Sequence, residues 1–511
     1  MRKTILIPIN QGFAFRYFMQ TDIFTKLQKS GHQIVILVPD TDDSFLEGLR
    51  QYENVVLAPY HMDNCHEYIR KSRMERFLKN LRLFVQNGHY NIRTVEDICR
   101  TCLEGSFKGK KRSNVRRIKD LVFGILINSA RRCKLLRECI LWIEHTLFSP
   151  PIHSDIFKTF QPDLLVVSSL GTLDYDQFLM REARSRKIPV VSVVLSWDNT
   201  TTRGMPGAIP DHVVAWTENM KRELIELNDI PAKKVFVGGV AHFDHYYRED
   251  SFLSKEKLFE QLELNIEKKI LFLVTKSPNC YPWNADIAEM ILRAIRENRF
   301  VEPCQLVVRL HPIYFRRQNG RFTFQYFLDR YDTLKQQYNE LVINKPIIAS
   351  NDFNYSMPKE EINLLATILK HSSSVINMFS TMNLEASIFD IPIVNVCFEG
   401  NSYTGPTKAR HNIAMDEAQT HNQRVVKTGG VIMVRDESQL IEGVNKEINR
   451  KIIIENKHHP LNNDALRALE SAEQAGNIHE HHRTPVEILR DYNLVDREGN
   501  IDEVFFNEVL A

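Results

Sequence analysis

The chain has 511 residues, of which 43% are hydrophobic and 25% charged; this is the composition of a soluble globular protein, at a length too great for one ordinary domain. A formal net charge of +2 supplies no global field that would demand a nucleic-acid partner, so any polyanion site has to be local. No apolar run approaches the ~18–20 residues that cross a bilayer, the longest being 121–127.

The first residues, Met1-Arg2-Lys3, run straight into a strand-like stretch at 5–9, with no pattern of a secretory leader. The eight cysteines (Cys65, Cys99, Cys102, Cys133, Cys139, Cys280, Cys304 and Cys397) are scattered, as expected of reduced thiols in a cytoplasmic protein. Cys99-x-x-Cys102 is not matched by a second such pair, since five residues separate Cys133 from Cys139. No metal site is expected there.

The short apolar run 5–9 ends in Asn10-Gln11-Gly12. An amphipathic stretch through Phe18, Ile23, Phe24 and Leu27 stops at Gly31, and a second strand at 34–38 closes on Pro39-Asp40. This is a βαβ unit, and parallel strands joined by helices imply an open doubly wound sheet. A third strand is predicted at 55–57. From about 66 to 147 the pattern is almost wholly helical. Strands resume at 163–167, 189–195, 213–216 and 234–237, with a helix at 218–228. Gly238-Gly239 after the last of these reads as a close backbone approach more than a phosphate loop.

Charged, unpatterned residues near 248–257 mark a domain connection, after which the architecture starts again. Strands are predicted at 269–274, 305–310, 374–377, 392–396 and 429–434, with helices near 284–297, 324–339, 360–370, 382–389 and 437–450. The expected organisation is therefore α/β: a Rossmann-like domain over 1–250 with a helical insert at about 66–147, a second over 251–455, and a polar, His-rich tail over 456–511. Two such domains would face a central cleft. Ligands of open α/β sheets bind outside the carboxyl ends of the strands, so the loops after strands are where chemistry is expected.

Val307-Val-Arg309-Leu-His311-Pro312 places a guanidinium and an imidazole at a strand exit, on one face by the two-residue period. A cationic histidine beside an arginine would suit a phosphate or pyrophosphate leaving group; a strand-end histidine satisfied by a neighbour, with the arginine in a salt bridge, is the plainer reading. Ser374-Val-Ile-Asn377 is followed by Met378-Phe379-Ser380-Thr381, a turn that opens a helix, and Glu385 lies one helical turn beyond Thr381. Phosphates at the turn and ribose hydroxyls on Glu385 would follow; an N-cap and a surface glutamate is the alternative.

The Arg-x-His-Pro element, the later Ser-Thr-x-x-x-Glu-Ala and then Asp390-Ile-Pro392-Ile-Val resemble the nucleotide-binding half of inverting glycosyltransferases of the GT-B fold. They are most similar to the bacterial group of sialyltransferases, Kdo transferases and glycerophosphate transferases. The resemblance implies that His311, Ser380 and Thr381 hold the phosphate of a CMP-, CDP- or UDP-linked sugar and that Glu385 meets its ribose or base; Arg309 and, after the strand 269–274, Ser277 are further candidates for binding it. In the first half, Gly12-Phe-Ala-Phe-Arg16, Thr21-Asp22, Ser196-Trp197-Asp198-Asn199-Thr200, Gly204, Pro210-Asp211 and Val237-Gly238-Gly239 resemble bacterial surface-carbohydrate proteins of the same superfamily. Together the likeness spans most of 1–445.

An inverting displacement needs a base for the acceptor hydroxyl, and in this fold the first domain binds the acceptor. Asp174, Asp176 and Asp198, each near a strand exit, are the candidates, with turn formation or helix capping as their ordinary alternatives. Trp197 could stack on a sugar, and Arg16 could hold an acidic group or anchor its helix. The histidines at 458, 459, 479, 481 and 482 read as solvated surface.

The segment 108–137 carries eleven Lys or Arg against one acidic residue, Asp120, around the apolar run 121–127. It either lies on the anionic inner face of a membrane or packs on its domain with a solvated basic side. The functional expectation is metal-independent transfer of a sugar from a nucleotide donor to a glycan or lipid-linked glycan in surface-polysaccharide biosynthesis. The alternatives are a nucleotide-sugar 2-epimerase, a polyol-phosphate (glycerophosphate) transferase, and a nucleotide-binding scaffold on a degenerate fold.

Overall fold

The computed structural model describes residues 2–105, 114–173, 175–318, 320–350, 353, 356–401, 403–405, 407, 409 and 412–457. The chain forms two compact units, the first reaching Asp244 and the second beginning at His245. Ala349–Ser356 belongs to the first unit, an excursion to which the sequence boundary at 250 gives no clue. Phe353 is buried there beside Phe15 and Phe45, with ring centroids at 6.1 and 5.9 Å.

The first unit is built on seven strands: β1 (Thr4–Pro8), β2 (Gln33–Val38), β3 (Val55–Pro59), β4 (Leu164–Val167), β5 (Val190–Val193), β6 (His212–Ala215) and β7 (Val235–Val237). They pair in the order β3-β2-β1-β4-β5-β6-β7, every pair parallel. The strands read as continuous apolar runs because both faces are covered. Ile5, Ile7, Ile34 and Ile36 enter one core, while Leu6, Val35 and Leu37 enter another, which is the two-residue alternation of a doubly wound sheet.

Helices Met62–Lys71, Arg73–Phe84, Arg93–Gly105, Asn114–Arg132 and Lys134–Leu147 make the helical insert. Their own apolar cluster includes Leu81, Phe84, Val95, Ile127 and Ile140. A buried ionic network joins them to the helix Asp176–Ser185. Arg181 lies 3.3 Å from Glu75 and 3.2 Å from Glu144, and Arg82 lies 2.7 Å from Glu144. Burial pushes the Glu75 carboxyl up, and the Arg181 guanidinium opposes that. Gly204, at φ 73°, sits so close to Leu83 that a Cβ would come within 2.5 Å of that residue's Cα; its place in the sequence motif thus has a packing cause.

The second unit is built on β8 (Lys269–Val274), β9 (Cys304–Arg309), the two-residue antiparallel pair β10 (Arg317–Gln318) and β11 (Arg321–Phe322), β12 (Leu341–Asn344), β13 (Ser374–Asn377), β14 (Ile393–Val396) and β15 (Ile432–Val434). Its main sheet has the order β12-β9-β8-β13-β14-β15, again entirely parallel. Both units are Rossmann-like: each sheet is wound outward from its first strand in one direction, then in the other. The reversal falls between β1 and β4 in the first unit and between β8 and β13 in the second. Among the described residues no helix is long and apolar enough to cross a membrane.

Candidate functional site

At the reversal point of the second sheet the exits of β9, β8 and β13 stand side by side. Neighbouring strands lie ~4.8 Å apart, so the His311 and Ser380 segments flank β8 about 10 Å from each other. Thr275, at the end of β8, ties two exits together. Its amide and hydroxyl donate to the Arg309 carbonyl at 3.0 and 3.1 Å, and the hydroxyl accepts from the His311 amide at 2.8 Å.

His311 is neutral. Burial, with Lys276 adding to the effect, pushes its pKa down to about 4. The geometry agrees, because Nδ1 accepts a 3.1 Å hydrogen bond from the Ile313 amide and the ring proton is therefore on Nε2. The cationic imidazole expected from sequence is replaced by a neutral N–H donor.

Arg309 is 4% exposed. Its guanidinium is turned onto protein acceptors, Asn344 on β12 and Glu361 on the helix Lys359–His371, with the Met357 sulfur 3.5 Å away. Burial works against its charge, and the Glu361 carboxylate restores it. A phosphate expected at this guanidinium would compete with a carboxylate already in place. Lys276 at these exits is paired as well, its Nζ 2.6 Å from Asp416, but it is half-buried where Arg309 is enclosed, and an ammonium has three donors to offer. Its backbone is clamped by Asn284, which accepts from the Lys276 amide at 2.8 Å and donates to its carbonyl at 3.0 Å. Ser277 follows, its carbonyl accepting from the Cys280 and Tyr281 amides, both at 2.9 Å.

The β13 exit is shaped by three buried asparagines that the sequence reading missed. Asn377 donates to Asn383 at 2.7 Å, Asn383 donates to Asn395 at 3.2 Å, and Asn395 accepts from the Phe379 amide at 3.0 Å. Asn377 also accepts from the Ser380 amide at 3.1 Å. Phe379 is held at φ 54°, a left-handed conformation rare for a residue with a Cβ. Ser380 and Thr381 are half-buried on this turn, and the Ser380 hydroxyl accepts from the Met382 amide at 3.3 Å. Glu385, on the helix Met382–Ile388, is buried and accepts from the Tyr246 hydroxyl; its charge and that of Arg309 sense each other.

The first unit's reversal point is filled differently. Asp176 is completely buried, accepting from Asn10 at 3.2 Å, Tyr60 at 2.8 Å and Ser169 at 2.6 Å. Burial raises its pKa and the three hydrogen bonds oppose the rise. Asp198 remains half-buried at the β5 exit, accepting from Ser196 and, at 3.0 Å, from Thr202. Trp197 is 8% exposed, so the ring expected to meet a sugar is packed inside instead. Arg16 is buried within the helix Gly12–Met19. Asp174 and the histidines at 458, 459, 479, 481 and 482 lie outside the described residues. Among the described residues no three His, Cys, Asp or Glu side chains are grouped as a metal ion would require.

No protein-family model and no curated protein sequence matches this chain. Solved structures similar to it include a UDP-GlcNAc 2-epimerase from Methanocaldococcus jannaschii (13% identity, 89% of this chain and 100% of that one, TM-score 0.43). A putative UDP-N-acetylglucosamine 2-epimerase from Listeria monocytogenes has 10% identity over 88% of this chain and 89% of its own, with TM-score 0.47. A glycosyltransferase from Rickettsia africae has 12% identity over 93% and 98%, with TM-score 0.40.

Proposed function

We propose that the chain is a nucleotide-sugar enzyme of the GT-B kind. In this reading its second unit binds the nucleotide at the β8–β13 reversal, and it transfers the sugar to a glycan or glycolipid acceptor with inversion. The observation that carries this reading is the alignment of Lys276, the His311 N–H donor and the Ser380–Thr381 turn on three adjacent strand exits.

The chemistry follows from those groups. The acceptor oxygen bonds to the anomeric carbon as the bond from that carbon to the phosphate oxygen breaks. The electron pair leaves on the nucleotide, and the acceptor's proton passes to a carboxylate. Lys276 and the His311 Nε2–H meet the charge that develops on the leaving phosphate, which is where preorganised donors do most to lower a barrier. Glu385 already accepts from the Tyr246 hydroxyl, and the carboxylate's remaining lone pairs are the ones a ribose hydroxyl would use. Asp198 is the base: of the two candidates for that role that are described, Asp176 is enclosed by Asn10, Tyr60 and Ser169, whereas Asp198 is half-buried.

The test is turnover of CMP-, CDP-, UDP- and GDP-sugars by native protein, His311→Ala and Lys276→Ala. A loss of about 10²-fold or more in each variant is expected, with activity retained in excess chelator. Native-like turnover by His311→Ala, or activity abolished by chelator and restored by a divalent ion, would go against it. Release of an altered sugar with no acceptor present would instead identify a 2-epimerase, the activity named for several of the similar structures. Calorimetry showing no binding of any nucleotide would leave a scaffold.

A further inference from the structure

The helix Asn114–Arg132 has two apolar faces, and only one of them is used by the fold. Ile127 and Ala130 are buried in the helical insert's own core, with Phe123 and Leu126 packed against it. Ile118, Leu121, Val122 and Ile125 recur at i, i+3, i+4 and i+7 on the opposite side, each between 57% and 64% exposed. Four large aliphatic side chains in one helical stripe are more than the scattered apolar exposure normal for a protein surface.

Cations predominate around the stripe, with Glu138 an exposed exception 3.8 Å from Lys134. Lys119, Arg132 and Lys134 are exposed beside it. In the sequence 108–137 the sole acidic residue is Asp120. Among the described cations of this segment two are internal: Arg137 pairs with Asp229 at 2.6 Å, and Arg131 donates to the Phe84 carbonyl at 2.6 Å. The same composition continues on the helix Arg73–Phe84, where Met74 and Phe77 are exposed beside the exposed Arg73 and Arg76, and the Phe77 ring meets that of Phe123 at 5.6 Å.

We propose that this face of the first unit is a membrane-surface site, seated on an anionic lipid leaflet with the stripe among the upper acyl carbons and the lysines and arginines at the phosphates. An apolar centre bordered by cations on a helix lying flat matches the layering of that interface. A second copy of the chain fits poorly, since it would set cations against cations. The proposal does not depend on the nucleotide-site reading.

The experiment is flotation of the full chain with phosphatidylcholine vesicles, with and without phosphatidylglycerol. Binding only to the anionic vesicles is expected, weakening as salt is raised. Leu121→Gln with Ile125→Gln should bind about tenfold more weakly or worse, with an unchanged melting temperature because both side chains are exposed. Ser129→Leu, which extends the stripe by one turn on the same exposed face, should bind more tightly. The proposal is overturned if the native chain does not float with anionic vesicles, if the double variant floats as well as the native protein, or if the native chain is a dimer that the double variant dissociates.

Discussion

His311 is kept uncharged by its surroundings, and this has a thermodynamic signature. The folded chain holds it neutral down to about pH 4, whereas the ordinary value in an unfolded chain is 6.5. Between those limits the unfolded state binds the extra proton, so this residue makes stability fall as pH is lowered through that window and adds nothing above it. The slope is at most ~1.4 kcal/mol per pH unit. Urea melts of His311→Asn should show a correspondingly flatter profile from pH 6.5 to 4; an unchanged profile would mean that the imidazole titrates normally. Asn395→Ala should cost ~1–3 kcal/mol in the same melts, because it removes the acceptor of the Phe379 amide and of the Asn383 side-chain N–H in the interior. These residues differ in how visible they are in sequence. The His-Pro exit and the Ser-Thr turn could be found by pattern. The partners of Arg309, by contrast, lie 35 and 52 residues away and nothing local announces them. The asparagines did leave a signal, since Asn395 interrupts an apolar strand and Asn377 ends one, where strands ordinarily exclude them.

At the scale of elements, the helical insert is fastened to the Asp176–Ser185 helix by charges as well as by apolar packing. Glu144 bridges Arg82 and Arg181 with no exposure to solvent. Its removal leaves two buried guanidinium groups with Glu75 as the network's one remaining carboxylate, so Glu144→Ala should destabilise by ~3–5 kcal/mol. A replacement of all the network's charges by apolar groups of similar volume should be far less harmful, and thermal unfolding of the two designs makes the comparison. The long apolar strands were legible because full burial writes itself as a continuous hydrophobic run. β12 was not: its Leu341–Asn344 has only two residues between a leucine and an asparagine, too short to show a period. The excursion at Ala349–Ser356 was invisible for a related reason, since what holds Phe353 is aromatic company more than 300 residues away in the chain.

At the scale of the whole molecule, the two sheets are wound alike and differ at their reversal points. In the first, Asn10, Tyr60 and Ser169 close around a buried carboxylate, which would repel a phosphate; in the second, a lysine and a neutral histidine donor stand at the strand exits. Titration calorimetry should therefore count one nucleotide per chain, and a stoichiometry of two would contradict the assignment. The winding order also bears on how the chain acquires its shape. Each reversal joins strands distant in sequence: Ile5 is registered with Leu164, and Leu271 with Ser374. The neighbours β1, β2 and β3, and likewise β8 and β9, can zip together over far shorter loops. During refolding from denaturant the two reversals should accordingly close late. Far-ultraviolet ellipticity should return before the ability to bind a fluorescent nucleotide, with a measurable lag between the two.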